Sequence, residues 1–135
     1  MNPQHKDKDN AYCPYSHAKD IEKLKEFYIK YFRATSNEKY TNATKGFESY
    51  FLTFNGQTTL EIMKKTSIAG EFDSTETFGL THIAFSVGSK ETVDKLTATL
   101  IQDGYTKLDG SRYTGDGYYE SLFLDPENNR IEITI

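Results

Sequence analysis

Two glutamates and a histidine interrupt segments of this sequence that are otherwise apolar. Glu61 lies between leucine and isoleucine, Glu132 lies between two isoleucines, and His82 lies in the run LTHIAF. Burying a carboxylate in an apolar strand is costly unless the carboxylate is paired or bound to a metal. Two carboxylates and one imidazole suit a divalent first-row metal, with open positions left for water or substrate.

Each of these residues also has a purely structural interpretation. In an antiparallel sheet with one wet face, strict alternation would place both glutamates on the solvent side. His82 would then be a core histidine that is hydrogen-bonded to the backbone. The combination of the three residues, and its repetition along the chain, favours the metal interpretation.

The spacing of a fourth residue, Cys13, links the two halves of the chain. Cys13 precedes Asp20 by seven residues and His82 precedes Ser89 by seven, and both Asp20 and Ser89 are candidate helix N-caps. The glutamate of each half follows 48 residues after Cys13 and 50 residues after His82. If a pseudo-twofold relates the halves, the four residues converge in pairs on a concave face. The alternative for Cys13 is a small buried apolar residue.

The elements that position these residues occur twice in the same order. The first half is predicted to contain a strand over 11–18, a helix over 21–32, and strands over 47–54 and 58–63 that are joined by an Asn-Gly turn. The second half is predicted to contain a strand over 80–87, a helix from the Ser89 cap to about 103, a short strand over 104–108, a glycine-rich loop over 110–117, and strands over 118–124 and 130–135. The polar segments 35–46 and 64–78 carry no strand or helix pattern.

This order predicts an α+β fold with two tandem βαβββ modules that form a cupped, mostly antiparallel sheet. We expect one domain over residues 11–135 after a polar lead-in over 1–10, with repeat one at about 11–66 and repeat two at about 79–135. A period of about 70 residues is too long for a solenoid, whose repeats span roughly 20–50 residues.

Composition excludes several classes of function. The net charge of −4 and the absence of a basic run argue against nucleic acid and anionic membranes as partners. A single cysteine excludes an internal disulfide and a zinc-finger spacing, which fits a reducing cytoplasm. No apolar stretch approaches the ~20 residues that span a bilayer. We expect a cytoplasmic protein that acts on a small molecule.

The sequence resembles the glyoxalase/bleomycin-resistance/dioxygenase superfamily, also called the vicinal oxygen chelate superfamily, and within it the lactoylglutathione-lyase-like branch. The resemblance covers about residues 11–135. It rests on KDIEKLKEFYIKYF (19–32), KGFESYFLTF (45–54), LEIM (60–63), THIAFSVGSKETVDKL (81–96) and GDGYYESLFLDPENNRIEIT (115–134).

The resemblance implies metal ligands at Glu61, His82 and Glu132, and a fourth ligand position at Cys13, where the family usually has histidine or glutamine. A glutamate at the second ligand position is typical of glyoxalase I-like members. The implied cofactor is a divalent metal (Zn, Ni or Co), and a thiolate at Cys13 would favour Zn²⁺. Without that thiolate the site has three ligands. The resemblance also implies a homodimer, with each site assembled from both chains.

The reaction implied by the resemblance is isomerisation of a hemithioacetal, formed from a 2-oxoaldehyde and a thiol, to a 2-hydroxyacyl thioester. Glu132 is the implied catalytic base, and Glu61 is a ligand and the partner for the opposite face of the substrate. Tyr118 and Tyr119 are predicted to line the substrate pocket, unless they are ordinary strand aromatics.

Two other functions stay open at this point. One is a different metal-dependent reaction on the same scaffold, such as an epimerase or a dioxygenase. The other is a non-catalytic, small-molecule-binding protein of the bleomycin-resistance type, which the Cys13-Pro14 pair favours because it replaces the usual first ligand.

Overall fold

The structure, a computed structural model, describes residues 15–70 and 78–135. The chain divides into two compact units at the boundary between Ala69 and Gly70. The lead-in over 1–10, Cys13 and the first half of the predicted strand over 11–18 lie outside the described residues. None of the described helices combines the length and the apolar character needed to cross a membrane.

The described part of the first unit forms one helix and five strands. They are β1 (Tyr15–His17), α1 (Ile21–Phe32), β2 (Thr35–Ser36), β3 (Tyr40–Asn42), β4 (Phe47–Phe54) and β5 (Thr58–Lys65). The strands follow the order β1-β5-β4-β2, and β3 also pairs with β4. The β1–β5 pair is parallel and the other pairs are antiparallel.

Helix α1 begins at the predicted cap, where the Asp20 carboxylate accepts a hydrogen bond from the Lys23 backbone N–H at 3.0 Å. Its buried side chains recur at the helical spacing of one face, and they are Ile21, Leu24, Phe27 and Tyr28. This face packs against β4 and β5, whose buried residues on that side are Tyr50, Leu52, Leu60 and Ile62. The core of the first unit lies between helix and sheet.

In the second unit, the residues that the structure describes form one helix and four strands. They are β6 (Ile83–Ser86), α2 (Lys90–Gln102), β7 (Lys107–Tyr113), β8 (Tyr119–Leu124) and β9 (Arg130–Thr134). The strand order is β6-β9-β8-β7. Strands β6 and β9 are parallel, and the other two pairs are antiparallel.

Helix α2 begins at Ser89, whose hydroxyl accepts a hydrogen bond from the Thr92 backbone N–H at 3.1 Å. Its buried side chains are Val93, Thr97 and Leu100. They face the α2 side of the sheet, where β8 and β9 contribute Tyr119, Ser121, Phe123, Ile131 and Ile133. Alternate residues of β8 and β9 therefore face away from the helix.

The two units repeat the same strand register around their glutamates. Glu61 pairs with Tyr15 of the parallel strand β1, and Glu132 pairs with Ala84 of the parallel strand β6. Position 13 precedes Tyr15 by two residues, as His82 precedes Ala84. The equivalence of Glu61 and Glu132 that the sequence predicts is therefore repeated in the backbone pairing.

The α+β class with two βαβββ modules is confirmed, and in the first unit the second strand position is divided between β2 and β3. Both predicted helices, both caps and the Asn55-Gly56 turn are also confirmed. The absence of strands between 35 and 46 was a wrong prediction, because β2 and β3 form there by pairing with β4. These are short strands with largely exposed side chains, so they leave no apolar alternation in the sequence.

Two further boundaries in the second unit differ from the predictions. Strand β7 runs over Lys107–Tyr113 instead of 104–108, so half of the predicted loop over 110–117 is strand. Gly110 allows this because a Cβ atom there would lie 2.3 Å from the Glu120 carbonyl oxygen, a distance only glycine tolerates. Strand β6 begins at Ile83 rather than at residue 80, so His82 precedes the strand.

Candidate metal centre

His82 and Glu132 form a close pair on one face of the second sheet. Glu132 lies in the middle of β9, and its register partner on β6 is Ala84. His82 is two residues before Ala84, so alternation places it on the same face as Glu132. His82 Nε2 lies 3.0 Å from Glu132 Oε2, and the two side chains are 37% and 17% exposed. Both donors are therefore accessible from one side of the sheet.

The other ring nitrogen of His82 is held by its neighbour in the chain. The Thr81 hydroxyl lies 3.0 Å from His82 Nδ1. A hydrogen bond at Nδ1 fixes the orientation of the ring and directs Nε2 towards Glu132. Histidines that bind metals are usually oriented in this way by a second hydrogen bond.

A second carboxylate, that of Glu120, lies beside this pair. Strand β8 pairs with β9 so that Leu122 is opposite Glu132 and Glu120 is opposite Thr134. Glu120 is thus the diagonal neighbour of Glu132 on the face away from α2, within reach of a long side chain. The pKa of Glu120 is raised to about 7, first by burial, then by the hydrogen bond with Glu132 and by the negative charges of Glu132 and Asp116, while His82 acts in the opposite direction.

The predicted pocket residues Tyr118 and Tyr119 lie in different environments. Tyr119 is buried on the α2 side of the sheet, where its hydroxyl donates to the Asp94 carboxylate at 2.5 Å. It therefore faces away from Glu132 and fixes the helix to the sheet. Tyr118 precedes β8 and is 56% exposed.

Glu61 occupies the equivalent position of the first unit. It lies on β5 opposite Phe51 of β4, on the face of that sheet away from α1. The Glu61 residue is only 9% exposed. Cys13, the predicted fourth ligand, lies outside the described residues.

The donor set of His82 and Glu132 fits a divalent metal. Two donors that are each about 2.1 Å from one ion and about 90° apart lie about 3 Å from each other. The Nε2–Oε2 separation of 3.0 Å, at which the two side chains form an ion pair when His82 is protonated, also matches this value. Within the described residues of the second unit, no three His, Cys, Asp or Glu side chains surround one metal position. The pair would supply two ligands, and further positions would be filled by water, substrate or another protein side chain.

Glu120 is the site residue that sequence reasoning missed. The segment YYESLFL drew attention to its two tyrosines, although alternation already separates Glu120 from Tyr119 and from Ser121. The available signal was that Glu120 lies two residues before Leu122 and so faces the same side of the strand. Leu122 is opposite Glu132.

Residues 17–133 match the family model described as the Glyoxalase/Bleomycin resistance protein/Dioxygenase superfamily. A curated relative, the protein YqjT of Bacillus subtilis, is 38% identical over 58 residues, which are 41% of this chain and 45% of that protein. The alignment with this relative thus spans less than half of its length. The superfamily includes many metalloenzymes, its members typically use divalent metals, and they bind small-molecule substrates and are often dimers.

Solved structures of low sequence identity share the fold. A glyoxalase/bleomycin resistance protein/dioxygenase domain from Frankia sp. EAN1pec superposes with a TM-score of 0.79 at 16% identity, covering 94% of this chain and 97% of that one. The trypanothione-dependent glyoxalase I of Leishmania major gives a TM-score of 0.74 at 18% identity, covering 94% and 86%. With the family model matching residues 17–133, the chain belongs to the glyoxalase/bleomycin resistance protein/dioxygenase superfamily.

Proposed function

We propose that this protein is a glyoxalase I-like, metal-dependent isomerase that converts the hemithioacetal of a 2-oxoaldehyde and a thiol into a 2-hydroxyacyl thioester. The observation that carries the proposal is the His82–Glu132 pair, with its two donors 3.0 Å apart on an accessible sheet face. The matching register of Glu61 in the first unit supports it, because glutamate at this position is typical of glyoxalase I-like members.

In this proposal His82 and Glu132 hold a divalent metal, and Glu61 is a third ligand. When bound, the metal supplies positive charge beside the two neighbouring oxygens of the substrate, where negative charge develops during the reaction. Thr81 keeps the His82 ring oriented through Nδ1. Zn, Ni and Co are the metals that we expect, since imidazole with carboxylates suits all three.

The reaction requires a carboxylate that removes a proton from the carbon next to a carbonyl group and returns it to the neighbouring carbon. The face that carries His82 and Glu132 also carries Glu120, so carboxylates are available there. The thiol is named only by class. Arg112, the register partner of Glu120 on β7, donates from Nε and Nη2 to Asp109, so its guanidinium is already engaged by that carboxylate.

The proposal is tested by metal analysis of tag-free protein and of the variants His82→Ala and Glu132→Ala. Each protein is incubated with Zn²⁺, Ni²⁺ or Co²⁺, desalted and measured by inductively coupled plasma mass spectrometry. We expect one metal per chain in the unmodified protein, and loss of that metal in both variants. The matched control is Glu91→Gln, which changes an exposed carboxylate in the first turn of α2.

The loaded protein is then assayed with methylglyoxal and a panel of thiols for formation of the thioester. Metal binding together with thioester formation supports the proposal. Absence of metal from the unmodified protein after all three incubations would refute it. In that case a small-molecule-binding protein of the bleomycin-resistance type becomes the better explanation.

A further inference from the structure

We infer that Asn55, in the turn between β4 and β5, is a selective modification site of the folded protein. Its side-chain amide is lost when the following backbone nitrogen attacks it, and the products are aspartate and isoaspartate. The site lies at the tip of the hairpin whose returning strand carries Glu61. Its chemistry does not depend on the proposed function.

The turn has a backbone conformation that asparagine and glycine adopt more readily than other residues. Asn55 has a φ of 51° and Gly56 a φ of 69°, both in the left-handed region. The Gln57 backbone N–H donates to the Phe54 carbonyl oxygen at 3.1 Å, which closes a two-residue turn. Asn55 and Gly56 are both exposed, and no atom lies within 4 Å of a Cβ atom built on Gly56. Water therefore reaches the Asn55 amide, and no neighbouring group obstructs movement of the Gly56 nitrogen towards it.

The other asparagines in the described part of the chain show what distinguishes Asn55. The side-chain oxygens of Asn37 and Asn42 accept hydrogen bonds from backbone N–H groups at 2.7 and 3.2 Å. The Asn129 amide group donates to a carboxylate at 2.9 Å. A side chain held in this way cannot turn towards the next backbone nitrogen without losing its hydrogen bond. Among the described residues, none forms a hydrogen bond with the side chain of Asn55.

Asn128 provides a comparison within the same molecule. Like Asn55 it is exposed, has a left-handed φ (65°), and has no side-chain hydrogen bond to the residues that the structure describes. The residue that follows it is Asn129, which has a Cβ atom and a side chain bound to Asp125. The residue that follows Asn55 is glycine, which has neither. The two sites therefore differ mainly in how easily the next backbone nitrogen can approach the amide.

The reaction needs only water from the solvent as a co-reactant. Hydroxide removes the proton of the Gly56 backbone N–H, and the nitrogen electron pair forms a bond to the side-chain carbonyl carbon of Asn55. The bond from that carbon to the amide nitrogen breaks, and the nitrogen leaves as ammonia after taking up a proton. Water then opens the cyclic imide at either carbonyl. Opening at the side-chain carbonyl gives aspartate, and opening at the main-chain carbonyl gives isoaspartate; no atom is oxidised or reduced.

Both products change the hairpin. Aspartate keeps the backbone and adds a negative charge at the tip, and it tolerates the left-handed conformation as asparagine does. Isoaspartate adds a main-chain atom between Phe54 and Gln57. A two-residue turn matches the twist of its strands only with its normal backbone, so the isoaspartyl form cannot keep the same turn geometry.

The test is peptide mapping by mass spectrometry of the folded, full-length protein after incubation in mildly acidic and mildly alkaline buffers. We expect the peptide that contains Asn55 to lose ammonia and gain water, and to become a substrate for isoaspartyl methyltransferase. The loss should be faster in alkaline buffer, because the attacking N–H must give up its proton. The peptide that contains Asn128 should keep its amide. Asn55→Gly is the matched control, since Gly-Gly also forms this type of turn, and it should abolish the reaction.

Two results would overturn the inference. If Asn55 stays intact in the folded protein but is modified in protein unfolded by urea, the turn protects the residue instead of exposing it to attack. If Asn128 is modified as fast as Asn55 in the folded protein, the glycine does not select the site. Metal content and thioester formation do not enter this test, so its failure is distinct from failure of the proposed function.

Discussion

The contact between Thr97 of α2 and Ser121 of β8 gives a stability prediction with a definite order of effects. The Thr97 hydroxyl lies 2.6 Å from the Val93 carbonyl oxygen and 2.8 Å from the Ser121 hydroxyl, and both residues are almost fully buried. A hydroxyl has one proton. Because Thr97 donates it to Val93, Ser121 must be the donor in the contact between the two hydroxyls. The pair is thus directional.

Thr97→Val replaces the hydroxyl by a methyl group of similar shape and leaves the buried Ser121 O–H without its acceptor. An unsatisfied buried donor costs about 1–3 kcal/mol, whereas loss of one ordinary hydrogen bond costs about 0.5–1.5 kcal/mol. Ser121→Ala is the milder change, because Thr97 still donates to Val93. We expect Thr97→Val to destabilise by about 2 kcal/mol and Ser121→Ala by about 1 kcal/mol. The double variant should be less destabilised than Thr97→Val alone, since no unpaired hydroxyl remains.

The assay is urea unfolding of the metal-free protein, with free energies taken from curves of equal slope. Thr99→Val is the matched control. Thr99 makes the same hydroxyl-to-carbonyl bond within α2, to Lys95 at 2.9 Å, but in an exposed setting. Its loss should change stability by less than about 0.5 kcal/mol. Equal effects of Thr97→Val and Thr99→Val, or additive effects in the double variant, would contradict the directional bond.

Two further predictions concern the orientation of His82 and the ion pair between Glu22 of α1 and Lys39. Thr81→Val should weaken Ni²⁺ binding by about 10-fold or more, because the hydrogen bond at His82 Nδ1 is lost, and calorimetry should show that Thr81→Ser keeps the affinity. The pKa of Glu22 is lowered to about 2, first by the hydrogen bond from Lys39, so its stabilising effect is present above its ordinary pKa of 4.5 and is lost as the pH falls towards 2. The Tm of the unmodified protein should therefore exceed that of Glu22→Gln by less as the pH falls between those values. The difference in Tm should also shrink in about 1 M NaCl, because this carboxylate is half exposed. A difference in Tm that is independent of pH would contradict a stabilising role of the ionised Glu22 carboxylate.

Much of the fold could be predicted because its strongest signals are periodic or local. The apolar spacing over 21–32 predicts α1, and Ser89 and Asp20 predict the helix starts, because an N-cap depends only on neighbouring residues. The edge strands β2 and β3 could not be predicted in this way. They exist because β4 offers them backbone partners, and pairing of this kind needs no pattern of side chains.

The candidate site was predicted in part for the same reason. Glu132 and His82 stand out because each is polar within an apolar run, and the structure brings them within 3.0 Å. Glu120 lies in a strand that also contains tyrosines and a serine, so its polarity is not exceptional in the sequence. Its importance depends on which face of β8 the helix covers. That choice is made by the packing of α2 and not by the strand itself.

Strand β8 therefore couples stability to chemistry through its register. Its odd-numbered residues meet α2, where Tyr119 contacts Asp94 and Ser121 contacts Thr97, and its even-numbered residue Glu120 meets Glu132. A shift of one residue would exchange the two sets, because successive side chains of a strand point to opposite faces. It would bury Glu120 against the apolar side of α2 and expose two residues that need partners. The buried polar contacts with α2 thus fix the register that places Glu120 beside the donor pair.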